Sequence, residues 1–348
     1  MLAVVVIGFA WGRDLPVGPV VFIATLLAAS ILAAIHHADV LAHRMREPYG
    51  SLVRAVVVTV IEVAVIVSVT VASLPGTETL ARDTVFAAVM IACNGILGLA
   101  VLFGACRTLT ISFNADGAGA SLAAVVTVAA LALVLPAFIA SPPAAQFSAA
   151  AIAFAAVATF VLYGLFVTLH SAGPRGHFLA TTSASRPFAS GERATPATTR
   201  QTLVSLVLLL LALVAVVGSA NLVLPTLGRD VIAAGLPISI VGIATALLVL
   251  WSPAIAAVRA AQSNRIEKSL DIAFGSAMAC IGLTVPAMAV ASIWLPVPLR
   301  LGLGPMHIVL LGLTVLVMML SIMPARATLP QGGVHLALLA AYLFLAFA

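Results

Sequence analysis

Residues 54–78 read RAVVVTVIEVAVIVSVTVASLPGTE, and Glu62 is the only charged residue between the two ends of that stretch. Roughly 20 apolar residues in a helix span the 30 Å of a bilayer's hydrocarbon core, so the run predicts one transmembrane helix. A carboxylate near its middle costs about 2.5–3.5 kcal/mol on insertion scales, so it requires a partner, water or a bound cation. An acid held at that depth marks a functional site.

The remainder of the 348-residue chain has the same character. Hydrophobic residues make up 63% and charged residues 8%, against roughly 25% charge in a soluble domain. Mean hydropathy is +1.24. The chain is read as an all-α polytopic membrane protein. The net charge of +5 comes from Arg on loops, with Lys268 the single lysine. That pattern serves bilayer topology, and nucleic acid is not an expected partner. Cys93, Cys106 and Cys280 lie in or beside apolar runs without CxxC spacing and read as small core residues. The opening apolar run has no basic region before it, so it reads as a retained helix and not as a signal peptide.

Apolar runs separated by polar or Pro/Gly breaks predict about eleven spans. They lie near 1–11, 18–36, 51–73, 82–105, 119–140, 147–169, 202–224, 231–257, 269–294, 305–323 and 331–347. On this scheme one side of the membrane carries Arg44, Arg46, Arg54, Arg107, Arg175, Arg186, Arg193, Arg200, Arg259, Arg265, Lys268 and Arg326. The other side carries Arg13, Arg82, Arg229 and Arg300, a bias of twelve to four. The positive-inside rule makes the richer side cytoplasmic, with the N-terminus on it and the C-terminus outside. The segment SAGPRGHFLATTSASRPFASGERATPATTR, residues 171–200, reads as a polar linker. The expected organisation is a leading helix (1–17), a first set of five helices (18–170), a linker (171–201) and a second set of five (202–348). An odd number of spans per set inverts the second set relative to the first. Cys93-Asn94-Gly95 and Cys280-Ile281-Gly282 recur after a basic helix start in the two sets, a modest internal likeness.

The stretch HADVLAHRMREPYGSLVRAVVVTVIEVAVI, from His37 to Ile66, resembles the signature of ChaA-type cation/proton antiporters, within the calcium/cation exchanger superfamily. RDTVFAAVMI, GSAMACIGLTVP and VHLALLAAYLFL resemble the same family in the same order. The resemblance implies inverted repeats and a site between the third, fourth, eighth and ninth spans. It implies Ca²⁺, or Na⁺ and K⁺, leaving the cytoplasm as protons enter across a cell's inner (plasma) membrane. Glu62 matches the family's first essential glutamate. The second is absent: relatives carry a Ser/Leu-Pro-Glu-Gly element where this chain has Trp251-Ser252-Pro253-Ala254. Asp271 stands where relatives carry Asn. The C-terminal Ser-Thr-Gly-Arg-Thr element of relatives is replaced by Met323-Pro324-Ala325-Arg326-Ala327-Thr328.

Calcium needs hard oxygen ligands, and two carboxylates neutralise it. Glu62 alone would leave a bound Ca²⁺ with net positive charge in the bilayer, so a single acid suits a monovalent ion against one proton. Asp271 restores the second charge if it reaches Glu62, making the two a metal pair; otherwise it is a solvated acid at a helix start. Asn94, Thr59 and Ser252 are candidate neutral oxygen donors for cation or proton, or hydrogen-bonding glue between helices. His36, His37 and His43, beside Asp39, Arg44, Arg46 and Glu47, are candidates for gating or pH sensing, or part of a wet connection at the headgroups. His335 reads as a hydrogen-bonded packing residue. No phosphate loop, Ser/His/Asp arrangement, zinc spacing or haem motif occurs, so enzyme chemistry and resident cofactors are not expected. Two functions are carried forward: a cation/proton antiporter working by alternating access, and a non-transporting or regulatory membrane relative that keeps the scaffold.

Overall fold

The computed structural model describes residues 2–10, 17–45, 49–106, 109–139, 149–172, 199–295 and 299–347. The proposed linker lies almost wholly outside these residues. The chain opens with α1 (Leu2–Ala10), α2 (Val17–Arg44) and α3 (Tyr49–Val71). A turn at Thr77–Thr79 leads into α4 (Leu80–Met90), a π-helical segment at Ile91–Ile96 and α5 (Leu97–Ala105), all one continuous span. Strand β1 (Thr110–Ser112) precedes α6 (Ala115–Ala129), a second π segment at Ala130–Val134, α7 (Leu135–Ile139) and α8 (Ala149–Ala172). The second half holds α9 (Thr199–Ala233), α10 (Ser239–Gln262), α11 (Ile266–Ala291), α12 (Pro305–Ile322), β2 (Arg326–Thr328) and α13 (Leu329–Phe347).

Among the described residues, 10 helices are long and apolar enough to cross a membrane. The eleventh predicted span is α1. Its 9 residues rise about 14 Å, short of the roughly 30 Å hydrocarbon core. Within α1, Ala3 and Ile7 pack on Ala215 of α9. One correction concerns α9, expected to end near residue 224. It runs through Pro225 to Ala233, and Arg229 donates from Nε to the Pro225 carbonyl at 3.2 Å. The chain turns only at Gly235, whose φ of +76° is left-handed, just before Pro237. Local chemistry sets the other ends: the Asn114 side chain accepts from Asp116 N at 3.0 Å and caps α6, and Pro305 fills the first turn of α12.

The span Thr77–Ala105 is the core of the molecule, with 89% of its apolar stretch buried, against 17–56% for the others. Helices α10, α11 and α13 pack around it. The two halves are also tied at their ends. Strands β1 and β2 pair antiparallel with Ile111 opposite Ala327, and Arg44 Nη1 donates to Thr202 Oγ1. At the other end, Arg82 Nη1 donates to the Gly302 carbonyl at 3.0 Å. Each contact joins segments that the charge bias puts on the same side of the membrane.

Two helices meet backbone to backbone where α13 crosses α5. A Cβ placed on Gly332 would stand 2.8 Å from Leu102 N and 3.0 Å from the Gly98 carbonyl, with no flexible side chain to give way. At the neighbouring Gly333 the same atom meets nothing within 4 Å. Gly332→Ala is expected to lose about 1–3 kcal/mol by overpacking, while Gly333→Ala stays near wild type. Thermal unfolding of the two purified variants in detergent checks this; equal midpoints would refute the close crossing.

Candidate cation site

Along α3, Thr59, Glu62, Ile66, Val69 and Thr70 recur every three or four residues and form its buried stripe. Glu62 therefore points into the bundle by helical periodicity, and its exposure is 0%. The facing stripe on α11 carries Cys280 and Thr284, four residues apart and so stacked on one side of that helix. Thr284 Oγ1 donates a short hydrogen bond to Glu62 Oε2, and Cys280 Sγ donates to Oε1 at 3.4 Å. Each carboxylate oxygen thus has one donor from the opposite helix. The hydroxyl supplies the strong bond and the thiol the weak one. This clamp joins the two halves of the chain across about 220 residues of sequence.

The other residues singled out from sequence are not assembled there. Asp271 is exposed. It precedes Cys280 by nine residues on the same helix, about 14 Å of axial rise, so pairing it with Glu62 as metal ligands is corrected. Ser252 is half-buried and donates to Asp39 Oδ2 at 2.9 Å, away from Glu62. Thr59 is buried one turn from Glu62, and its hydroxyl donates to the Ala55 carbonyl at 2.9 Å. Asn94, fully buried in the first π segment, gives its carboxamide to a different cluster. Its Nδ2 donates to Thr314 Oγ1 at 2.9 Å, and its Oδ1 accepts from His335 Nδ1 at 3.1 Å. His335 Nε2 then accepts from Ser321 Oγ at 3.2 Å. That chain of bonds ties α12 and α13 to the central span, leaving Asn94 a packing residue in this structure. Among the described residues, no group of three or more His, Cys, Asp or Glu could hold a metal ion.

His36 and His43 line an open cleft of about 710 Å³ between α2, α10 and α11, together with Asp39 and Ser252. His43 Nδ1 lies 2.6 Å from the Asp39 carbonyl, and His37 is half-buried with Nδ1 unpartnered among the described residues. This cleft stops short of Glu62. Arg54, which reaches Asp39 at 3.8 Å, lies eight residues and about 12 Å down α3 from it. Toward the opposite face, a cavity of about 10 Å³ is lined by Ile66, Thr70 and Met288, with Glu78 at its far end. Ile66 and Met288 stand one helical turn beyond Glu62 and Thr284. A space of that size is at the threshold for one water molecule. Glu62 is therefore occluded from both faces, with the nearer cavity one turn away on the Glu78 side.

Sequence reasoning missed Thr284 and read Cys280 only as a core residue. The signal available was their i, i+4 spacing inside GSAMACIGLTVP, just ahead of Pro286, in a helix with few other polar side chains. Which helix Glu62 faces is not encoded in that spacing.

Residues 17–171 and 204–348 match the family described as sodium/calcium exchanger protein. The chain is 38% identical to y4hA of Sinorhizobium fredii, over 92% of this chain and 86% of that one. It is 30% identical to the sodium-potassium/proton antiporter ChaA of Escherichia coli, over 100% of this chain and 94% of that one. Among solved structures, native YfkE superposes with a TM-score of 0.71 at 16% identity, covering 99% and 96% of the two chains. The H⁺/Ca²⁺ exchanger CAX gives 0.71 at 13%, covering 98% and 84%. At those identities the structures speak for the fold.

Thr284→Val removes the stronger donor to a fully buried carboxylate, at an expected cost of about 1–3 kcal/mol. In the Glu62→Leu/Thr284→Val double variant the loss is expected to be smaller than the sum of the single losses, because both single changes break the same bond. Thermal or denaturant unfolding of the four proteins gives the coupling; strict additivity would separate the two residues.

Proposed function

The chain belongs to the sodium/calcium exchanger protein family, and on that premise we propose that it is a secondary active antiporter that exchanges Na⁺ or K⁺ for protons on Glu62. The observation that carries this reading is the solitude of the acid. Among the described residues Glu62 is bonded to a hydroxyl and a thiol, with Asp271 exposed and more than two helical turns away. One carboxylate balances one monovalent cation or one proton, and the buried pocket is then neutral in either state. A divalent ion on the same carboxylate would keep a positive charge in a low-dielectric setting, which is costly. The name of the E. coli relative, a sodium-potassium/proton antiporter, agrees with that charge balance. Proton and cation compete for the same oxygens, so each leaves only when the other can replace it.

The occlusion of Glu62 is the closed stage of an alternating-access cycle, with the α3–α11 seam as the part that opens. The cleft at Asp39 and Ser252 serves the basic, cytoplasmic side, and the small cavity at Thr70 and Glu78 the other. Cations leave the cytoplasm as protons enter, across the inner (plasma) membrane. The two matched segments, 17–171 and 204–348, support two five-helix repeats, the second inverted. The competing reading, a non-transporting relative, draws on the complete enclosure of Glu62.

Everted vesicles from a host lacking its own exchangers test both readings through collapse of an imposed pH gradient. Wild type is expected to respond to Na⁺ or K⁺ and not to Ca²⁺. Glu62→Gln abolishes the response and Asp271→Asn retains it. An unchanged response in Glu62→Gln removes Glu62 from the mechanism. A Ca²⁺ response as large as that to Na⁺ removes the single-charge argument. Silence of correctly inserted wild type toward every cation favours the non-transporting relative.

A further inference from the structure

The 710 Å³ cleft between α2, α10 and α11 carries a charge pattern that cation transport does not explain. Arg259, near the end of α10, lines it together with Arg265 and Lys268 at the start of α11. All three side chains are exposed to the cleft and its mouth, and among the described residues none forms a salt bridge or a side-chain hydrogen bond. His36 and His43 add two imidazoles from α2. The nearby acids offer little compensation. Asp39, the only acid among the described lining residues, is engaged by Arg54 at 3.8 Å and by Ser252 at 2.9 Å. Glu267 is turned the other way, accepting from Asn114 N at 3.2 Å, and Asp271 lies outside the lining. Three cations without a partner among the described residues, gathered at one opening, favour an anion.

We propose that this cleft binds a phosphate oxyanion, carried by the headgroup of an acidic phospholipid. Two guanidinium forks and one ammonium suit the several oxygens of a phosphate, with bidentate bonds from Arg and a point charge from Lys. The depth of the site favours the lipid source. The cations sit at helix ends, where headgroups lie. Below them on the same cleft, Trp251 is 60% exposed and Leu32 40% exposed, an apolar flank on which an acyl chain can rest. A lipid seated there spans the mouth of the cleft that reaches Ser252 and Asp39. The site does not depend on Glu62 or on any transport activity.

Trp251 is the built-in reporter. With Trp11→Phe and Trp294→Phe it becomes the only tryptophan of the chain. Its fluorescence is measured in nanodiscs containing brominated phosphatidylglycerol or brominated phosphatidylcholine. The anionic lipid is expected to quench at a lower mole fraction. Each basic residue near a charged lipid surface strengthens attraction about fivefold. The Arg259→Gln/Arg265→Gln/Lys268→Gln variant is therefore expected to lose roughly a hundredfold in preference, while Arg229→Gln, on the far side, changes nothing. Millimolar inorganic phosphate that shifts Trp251 emission in wild type but not in the triple variant, without any lipid preference, keeps the site and assigns it to a soluble phosphate. Equal quenching by the two lipids with no phosphate effect overturns the proposal, as does a lipid preference that survives in the triple variant.

Discussion

A buried carboxylate in a bilayer must find donors, and in this protein the donors lie on a helix from the other half of the chain. Thr284 and Cys280 of α11 hold the two oxygens of Glu62 on α3. That requirement sets the rotation of both helices, since each must turn its polar residues toward the other. It also explains the enclosure: a carboxylate satisfied from one neighbouring helix needs no water, so the apolar side chains around it can close. Transport and structure make opposite demands on the same bonds. The contacts that make Glu62 affordable in the closed state are the ones a cation or proton must displace.

The central span shows a second consequence of having no water to solvate backbone or side chains. Asn94 lies within the π-helical segment Ile91–Ile96, where the wider turn alters which side chains face which neighbours. Its carboxamide, Thr314, His335 and Ser321 join in a line of bonds that ends with the Thr314 hydroxyl on Met90 Sδ. Because Asn94 Oδ1 only accepts, His335 carries its proton on Nδ1 and receives the Ser321 hydroxyl at Nε2. The cluster fixes α12 and α13 on the core, and the Gly98–Gly332 crossing lets α13 come close enough for the imidazole to reach. A polar cluster with all partners internal is rigid, whereas the α3–α11 clamp rests on only two donors, one of them weak.

Charge is sorted by depth. Among the described residues a single acid sits in the apolar core and a basic rim surrounds the cleft on one face, with Asp39 between them under the control of Arg54 and Ser252. The rim that sets topology also creates an anion-friendly mouth, so one set of arginines serves orientation and recognition.

Much of this was legible in the linear chain. Ten of the eleven apolar runs became helices long enough to span, and Glu62 stood out because nothing else charged shares its run. The side-to-side arginine bias agreed with contacts such as β1–β2 and Arg82–Gly302, because membrane insertion reads local composition without reference to the final packing. The same composition misjudged the end of α9, where Pro225 bends no boundary and Gly235 makes one. What only the tertiary structure decided was partnership. Asp271, Asn94, Ser252 and Thr59 each have oxygen atoms suited to an ion, and sequence ranks them by chemistry alone. Packing turned Asp271 outward, gave Asn94 to His335, Ser252 to Asp39 and Thr59 to its own helix, and brought Thr284 and Cys280 to Glu62. The period of a helix tells which residues share a face; which face meets which is settled by the fit of ten helices at once.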